Sequence, residues 1–226
     1  MRTTLAGLDC IVENEGQSNC VVLFHGFGAD FTDLAPLADF LDPDGEWTWI
    51  FPNGPIAVDI GGHMNGRAWF PIAIAELEQA MMTGVPRDYS TNEEKPPTDL
   101  MNDLKMFIDE VAEQYEGVVL GGFSQGGMIA SHLLHAADDK LLGGLFLSTV
   151  LLNQALFEKS IADVKPKRFF QSHGGRDPVL HLKFGQSLYQ LLKQKGWKGT
   201  WVDFPGGHEI PMPVLLKGRD FLKSLL

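Results

Sequence analysis

The chain has 226 residues, 44% of them hydrophobic and 21% charged, which suffices for one large buried core. Its 18 basic and 29 acidic side chains give a formal charge of −11, so no basic footprint is available to neutralise phosphates and nucleic acid is excluded as an expected partner. Cys10 and Cys20 are too few for a disulfide framework and lack the paired spacing of a metal site; both are expected in or beside strands as reduced, small hydrophobes.

Taken in chain order, short apolar runs alternate with helical patterns. The first strand is predicted over 20–24, followed by helical spacing of Leu34, Leu37, Ala38 and Leu41 after a Thr32 or Asp33 cap, ended by Asp42-Pro43. A second strand is predicted over 47–51. Residues 53–97 then break the rhythm with Gly and Pro, a short helical patch over 74–82 and the acidic Asn92-Glu93-Glu94 tract. That stretch is a candidate lid or entrance wall. Leu100, Leu104, Phe107, Ile108, Val111 and Tyr115 form a helical stripe, and Phe184, Leu188, Leu191 and Leu192 form another; Val214, Leu215, Phe221, Leu222, Leu225 and Leu226 suggest a closing helix. Further strands are predicted over 117–120, 144–147, 168–171 and 200–204, several apolar at consecutive positions as strands buried on both faces should be. The alternation predicts an α/β fold, a mostly parallel sheet covered on both faces, in one domain over 1–226.

Residues 117–137 carry no formal charge and are long enough to span a bilayer, yet glycines, Ser124, Gln125, Ser131 and two histidines interrupt them. They read as a buried strand, a turn and a buried helix, with no stable membrane insertion. Near the start, Asp9 interrupts any apolar run, so no secretory signal is expected and the cytoplasm is the expected location. The acidity is uneven: residues 1–113 hold 5 basic and 20 acidic side chains, and the remainder carries a surplus of positive charge. A solvated acidic face is the ordinary meaning of such asymmetry, and a homodimer oriented by it is the alternative.

Gly122-Phe123-Ser124-Gln125-Gly126 matches G-x-S-x-G directly after the apolar Val118-Val119-Leu120 and directly before a helical segment. A serine on such a strand-to-helix turn has its hydroxyl exposed, and the helix start aims free N–H groups at developing negative charge. Serine needs a base, and the base needs an orienting carboxylate. Asp177 follows the 168–171 strand and His208 follows the 200–204 strand, in the order Ser, acid, His and on loops beyond strand ends, where open α/β sheets assemble sites. The other histidines fit less well. His132 and His135 read as helix-face residues, His173 as a strand-end residue satisfied by backbone, and His181 as an exposed helix start, while His63 in the irregular loop has no assigned place. Asp163 is the fallback acid; Asp203 lies inside its strand. For the oxyanion, the N–H of Gln125 and that of Phe27, in the loop His25-Gly26-Phe27-Gly28 after the 20–24 strand, are the nominated donors.

With these pieces assembled, the chain resembles the small serine carboxylesterase, lysophospholipase and acyl-protein thioesterase family of α/β-hydrolases. The likeness rests on Leu23-Phe24-His25-Gly26-Phe27-Gly28, Arg67-Ala68-Trp69-Phe70, Gly121-Gly122-Phe123-Ser124-Gln125-Gly126-Gly127-Met128, His173-Gly174-Gly175-Arg176-Asp177-Pro178-Val179 and Gly207-His208. It implies an αβα sandwich, no cofactor, and hydrolysis of small acyl esters or thioesters. Ala29 and Pro71 stand where family members often carry acidic residues, so detailed substrate preference does not transfer. Trp69, Phe70, Leu151, Leu152 and Ile210 are nominated for an acyl pocket, and their apolar character favours an uncharged acyl chain. A peptidase or lactone hydrolase on the same residues, and a non-catalytic ligand-binding module, are the alternatives.

Overall fold

The computed structural model describes residues 1–59, 61, 65–91 and 93–226. His63 and Asn92, both singled out in the sequence, lie outside the described residues. The chain opens with an antiparallel pair, β1 (Arg2–Leu5) and β2 (Leu8–Glu13), before β3 (Asn19–Phe24). Short helices α1 (Phe31–Leu34) and α2 (Ala38–Leu41) follow, joined by a 3₁₀ turn at Ala35–Leu37 where Pro36 interrupts regular winding. The cap is Asp30, whose side chain accepts the Thr32 N–H at 2.8 Å, in place of the expected Thr32 or Asp33. β4 (Thr48–Pro52), the hairpin strands β5 (Ile56–Asp59) and β6 (Asn65–Ala68), α3 (Ile74–Thr83) and α4 (Thr98–Gln114) lead to β7 (Gly117–Phe123) and α5 (Gln125–His132). The chain closes with β8 (Leu141–Leu147), α6 (Gln154–Ser160), β9 (Arg168–Gly174), α7 (Leu182–Gln194), β10 (Lys198–Phe204) and α8 (Met212–Lys223).

Eight strands form one sheet in the order β1-β2-β4-β3-β7-β8-β9-β10, parallel from β4 to β10 and antiparallel at the β1-β2-β4 edge. Alternation along the strands sends side chains to two cores. Cys20, Val22 and Phe24 join a cluster with Leu104, Phe107, Ile108, Met128, Ile129, Leu188 and Leu192 from α4, α5 and α7. Val21 and Leu23 join the opposite cluster with Leu34, Leu41, Val214, Leu215 and Leu222 from α1, α2 and α8. Helices therefore cover both faces, the three-layer αβα sandwich expected from the sequence. Burial at about 1.5–3 kcal/mol per large aliphatic or aromatic side chain stabilises the central strands from both faces. Because β3, β7, β9 and β10 run parallel, their carboxyl ends Phe24, Phe123, Gly174 and Phe204 emerge on one rim. Among the described residues, no helix is long and apolar enough to cross a membrane.

Candidate active site

The turn between β7 and α5 holds Ser124 at φ 55° and ψ −121°, a left-handed backbone that a non-glycine residue adopts only when its surroundings enforce it. Those surroundings are close-packed. A Cβ on Gly126 would run into the Phe24 and His25 carbonyls, and one on Gly122 would run into the Gly126 backbone. The Ser124 N–H donates to the Leu147 carbonyl at 3.0 Å, and the Thr149 hydroxyl donates to the Ser124 carbonyl at 2.7 Å. The elbow is thereby tied to the end of β8.

The β9 and β10 loops bring an imidazole and a carboxylate to this hydroxyl. His208 Nε2 lies 2.8 Å from Ser124 Oγ, and His208 Nδ1 lies 2.7 Å from Asp177 Oδ2. An ionised carboxylate only accepts, so Nδ1–H donates to Asp177 and Nε2 presents its lone pair to the serine O–H. Asp177 also accepts the Val179 and Leu180 amides on Oδ1, each at 2.8 Å. Burial alone would raise its carboxyl; the His208 hydrogen bond and charge and the two amides outweigh burial and hold it below the usual carboxylate range. The loops brace one another, with Gly175 N–H donating to Phe204 at 2.8 Å, Arg176 N–H to Gly206 at 2.9 Å and Ser148 Oγ to the Glu209 carbonyl at 3.1 Å. His208 keeps 16% of its side chain exposed, and its ring sits 4.8 Å from that of Phe123.

A second network fixes the loop after β3. Gly54 N–H donates to His25 Nε2 at 2.9 Å, so the proton of this buried imidazole is on Nδ1, which donates to Gly26 O at 2.8 Å. Burial pushes His25 below the ordinary histidine range, so it stays neutral. Trp69 Nε1 donates to the His25 carbonyl at 2.9 Å. Buried Gln125 accepts the Trp69 amide at 3.0 Å and donates to the Phe70 carbonyl at 2.7 Å, fastening the elbow to the Trp69-Phe70 segment. On the loop's other flank, Gly28 N–H donates to Arg67 at 2.8 Å and Arg67 N–H to Ala29 at 2.7 Å. The Phe27 and Gln125 amides take no part in these ladders. The Gln125 side chain, nominated only for its amide, and His25 and Trp69 as braces were missed; the signal was the H-G-x-G loop with a tryptophan downstream.

A cavity of about 270 Å³ opens beside Ser124 and His208. Phe27, Ile72, Tyr89, Phe123, Met128 and Leu180 supply most of its apolar wall, and both nominated donors, Phe27 and Gln125, line it. The five residues nominated for an acyl pocket line it nowhere. Trp69, Phe70, Leu151 and Leu152 are core residues no more than 4% exposed, and Ile210 packs half-buried on the opposite face of the sheet, so that nomination is corrected. Apolar residues next to a motif were drawn into the core by the same burial that would have suited a pocket.

The rival residues sit apart from the serine. His132 donates from Nε2 to the Leu152 carbonyl at 2.7 Å, His135 from Nδ1 to the His132 carbonyl at 3.0 Å, and His181 caps α7. His173 donates from Nε2 to the Leu180 carbonyl at 2.7 Å, backing the Asp177 loop. Asp163 and Asp203 are exposed. Among the described residues no cluster of His, Cys, Asp and Glu could hold a metal ion.

Comparison with known proteins agrees with this architecture. The phospholipase/carboxylesterase family profile matches residues 9–226. An acyl-protein thioesterase 1 of Cryptococcus neoformans is 32% identical, the match covering 91% of this chain and 87% of that protein. The crystal structure of esterase PE8 superposes with a TM-score of 0.80 at 22% identity, covering 97% of this chain and 99% of that one. A carboxylesterase from Mesorhizobium loti superposes with a TM-score of 0.72 at 21% identity, covering 98% and 97%. The match to nearly the whole chain, on a sheet that delivers a serine elbow to its carboxyl rim, makes this protein a member of the phospholipase/carboxylesterase family of α/β-hydrolases, an esterase-type hydrolase.

Proposed function

We propose that the chain hydrolyses small acyl esters or thioesters through an acyl-enzyme on Ser124. The observation that carries this reading is the unbroken relay from Asp177 Oδ2 through His208 to Ser124 Oγ, with contacts of 2.7 and 2.8 Å. His208 Nε2 takes the hydroxyl proton as Oγ attacks the acyl carbon. Negative charge then builds on the carbonyl oxygen, where the Phe27 and Gln125 N–H groups and the start of α5 stabilise it. His208 gives its proton to the leaving alcohol or thiol, then activates the water that releases the acid. Asp177 holds the Nδ1–H tautomer and stabilises the imidazolium. The two buried, unpaired cysteines suit a reducing compartment such as the cytoplasm.

Replacing Ser124 by Ala is expected to lower kcat on p-nitrophenyl butyrate by on the order of 10⁶ and to abolish labelling by a fluorophosphonate. A purified Ser124→Ala protein that keeps full activity overturns the assignment. An intact chain that neither labels nor turns over any acyl substrate instead favours a ligand-binding module.

A further inference from the structure

The cavity beside Ser124 is lined by one carboxylate that the proposed reaction does not use. Asp33, in α1, is among its lining residues, and no hydrogen bond or ion pair to its carboxylate occurs among the described residues. The side chain is exposed enough for water to hydrate it, which is how a carboxylate without a protein partner is tolerated. Partial desolvation by its surroundings, and next the charge of Asp30, push its carboxyl above the usual range, so a neighbouring cation would relieve both.

The rest of the lining has a matching chemistry. Phe27 and Phe123 line the same space, and aromatic rings attract alkylammonium groups, quaternary ones above all, once water is excluded. Two cations of this part of the chain have aromatic or acidic partners of their own. Arg87 lies 4.9 Å over the Tyr89 ring and is ion-paired with Glu76 and Glu94; Arg2 lies 5.1 Å over the Phe31 ring.

We propose that Asp33 and the aromatic walls select acyl esters or thioesters bearing a quaternary ammonium or other alkylammonium group within reach of the cavity, and disfavour anionic ones. This rests on Ser124 being the nucleophile, and the reaction remains the hydrolysis described above. The Asp33 carboxylate is a specificity element; it touches no reacting atom.

The test uses substrates alike but for charge. Three thioesters share a butyryl group: butyrylthiocholine, its neutral 3,3-dimethylbutyl isostere and the anionic 3-mercaptopropionate thioester. A second series places the same charges on the acyl chain of p-nitrophenyl esters. In at least one series the cation is expected to exceed its neutral isostere in kcat/KM by about tenfold, with the anion falling about tenfold below it. Asp33→Asn is expected to bring both ratios to within about threefold of unity, ratios being used so that a general loss cancels. Ratios near unity in both series, or ratios that survive Asp33→Asn, overturn the proposal. Calorimetric binding of butyltrimethylammonium, which needs no turnover, separates the two readings. Binding that weakens about tenfold in Asp33→Asn without any ester hydrolysis overturns only the hydrolase reading, whereas hydrolysis of neutral esters without such binding overturns only the role of Asp33.

Discussion

Asp177 carries two duties on two oxygens: Oδ1 accepts the Val179 and Leu180 amides, which shape its own loop, and Oδ2 accepts His208 Nδ1–H. Asp177→Asn keeps the first duty and reverses the second, because an amide N–H facing Nδ1 favours the imidazole tautomer that cannot accept the serine proton. The expected result is a folded protein whose kcat drops by on the order of 10⁴; a drop of less than tenfold in steady-state assays of a variant with unaltered melting temperature would argue against Asp177 as the orienting acid. That Ser124, Asp177 and His208 meet at one rim was legible in the sequence because each follows the end of a strand predicted to be parallel. The walls of the cavity were not. Ile72, Tyr89 and Leu180 are no more apolar than Trp69, Phe70 or Leu152, and composition does not tell which of two apolar neighbours faces a void and which faces the core.

At the scale of elements, the β5–β6 hairpin does more than fill an irregular stretch. β6 runs flush against the Phe27 loop, exchanging hydrogen bonds through Arg67 with Gly28 and Ala29, and a Cβ on Gly66 would run into the Gly28 backbone. Gly66→Ala must push the strand and loop apart. Overpacking of this kind costs about 1–3 kcal/mol, and displacing the Phe27 amide by about an ångström costs on the order of 10² in rate. The variant is therefore expected to lose far more kcat than its modest fall in thermal stability explains, with fluorophosphonate labelling slowed in parallel. Equal kcat in variant and parent would detach this hairpin from the proposed oxyanion role of the Phe27 loop. The hairpin escaped the sequence reading because its strands are four residues each, with Gly66 and Arg67 in one of them. The β1–β2 pair escaped for a related reason: Arg2, Thr3 and Thr4 lie on an edge strand that buries nothing completely, so no apolar run marks it. The inner parallel strands β3, β4, β7, β8 and β9 were legible because both of their faces are covered, which forces apolar residues at consecutive positions.

At the scale of the whole molecule, the fold stores uncharged groups that the unfolded chain would titrate. His25, His132, His135 and His173 are each held below the ordinary histidine range, in every case first by burial. For His132, edge-on to Phe157 and bonded to Leu152, the value falls to about 4. Between that value and about 6.5 the unfolded chain binds protons that the native state refuses, so stability is lost as pH falls through this window. His132 alone accounts for about 3 kcal/mol of that loss. Asp177, held low, acts further down: its contribution is present above the unfolded carboxylate value of about 3.9 and is lost below it. On the alkaline side burial pushes the Cys10 thiol up to about 12, and Cys20 also upward, so stability declines as pH rises past the unfolded thiol value of about 8.5. Urea unfolding across pH 4 to 10 should therefore give a dome with its top between about 6.5 and 8.5 and its steeper flank on the acid side. His132→Gln, which retains a donor for the Leu152 carbonyl, should flatten that flank even if it lowers the dome. An acid flank with the same slope in both proteins would mean that His132 is protonated inside the fold, and that its carbonyl partner outweighs its burial.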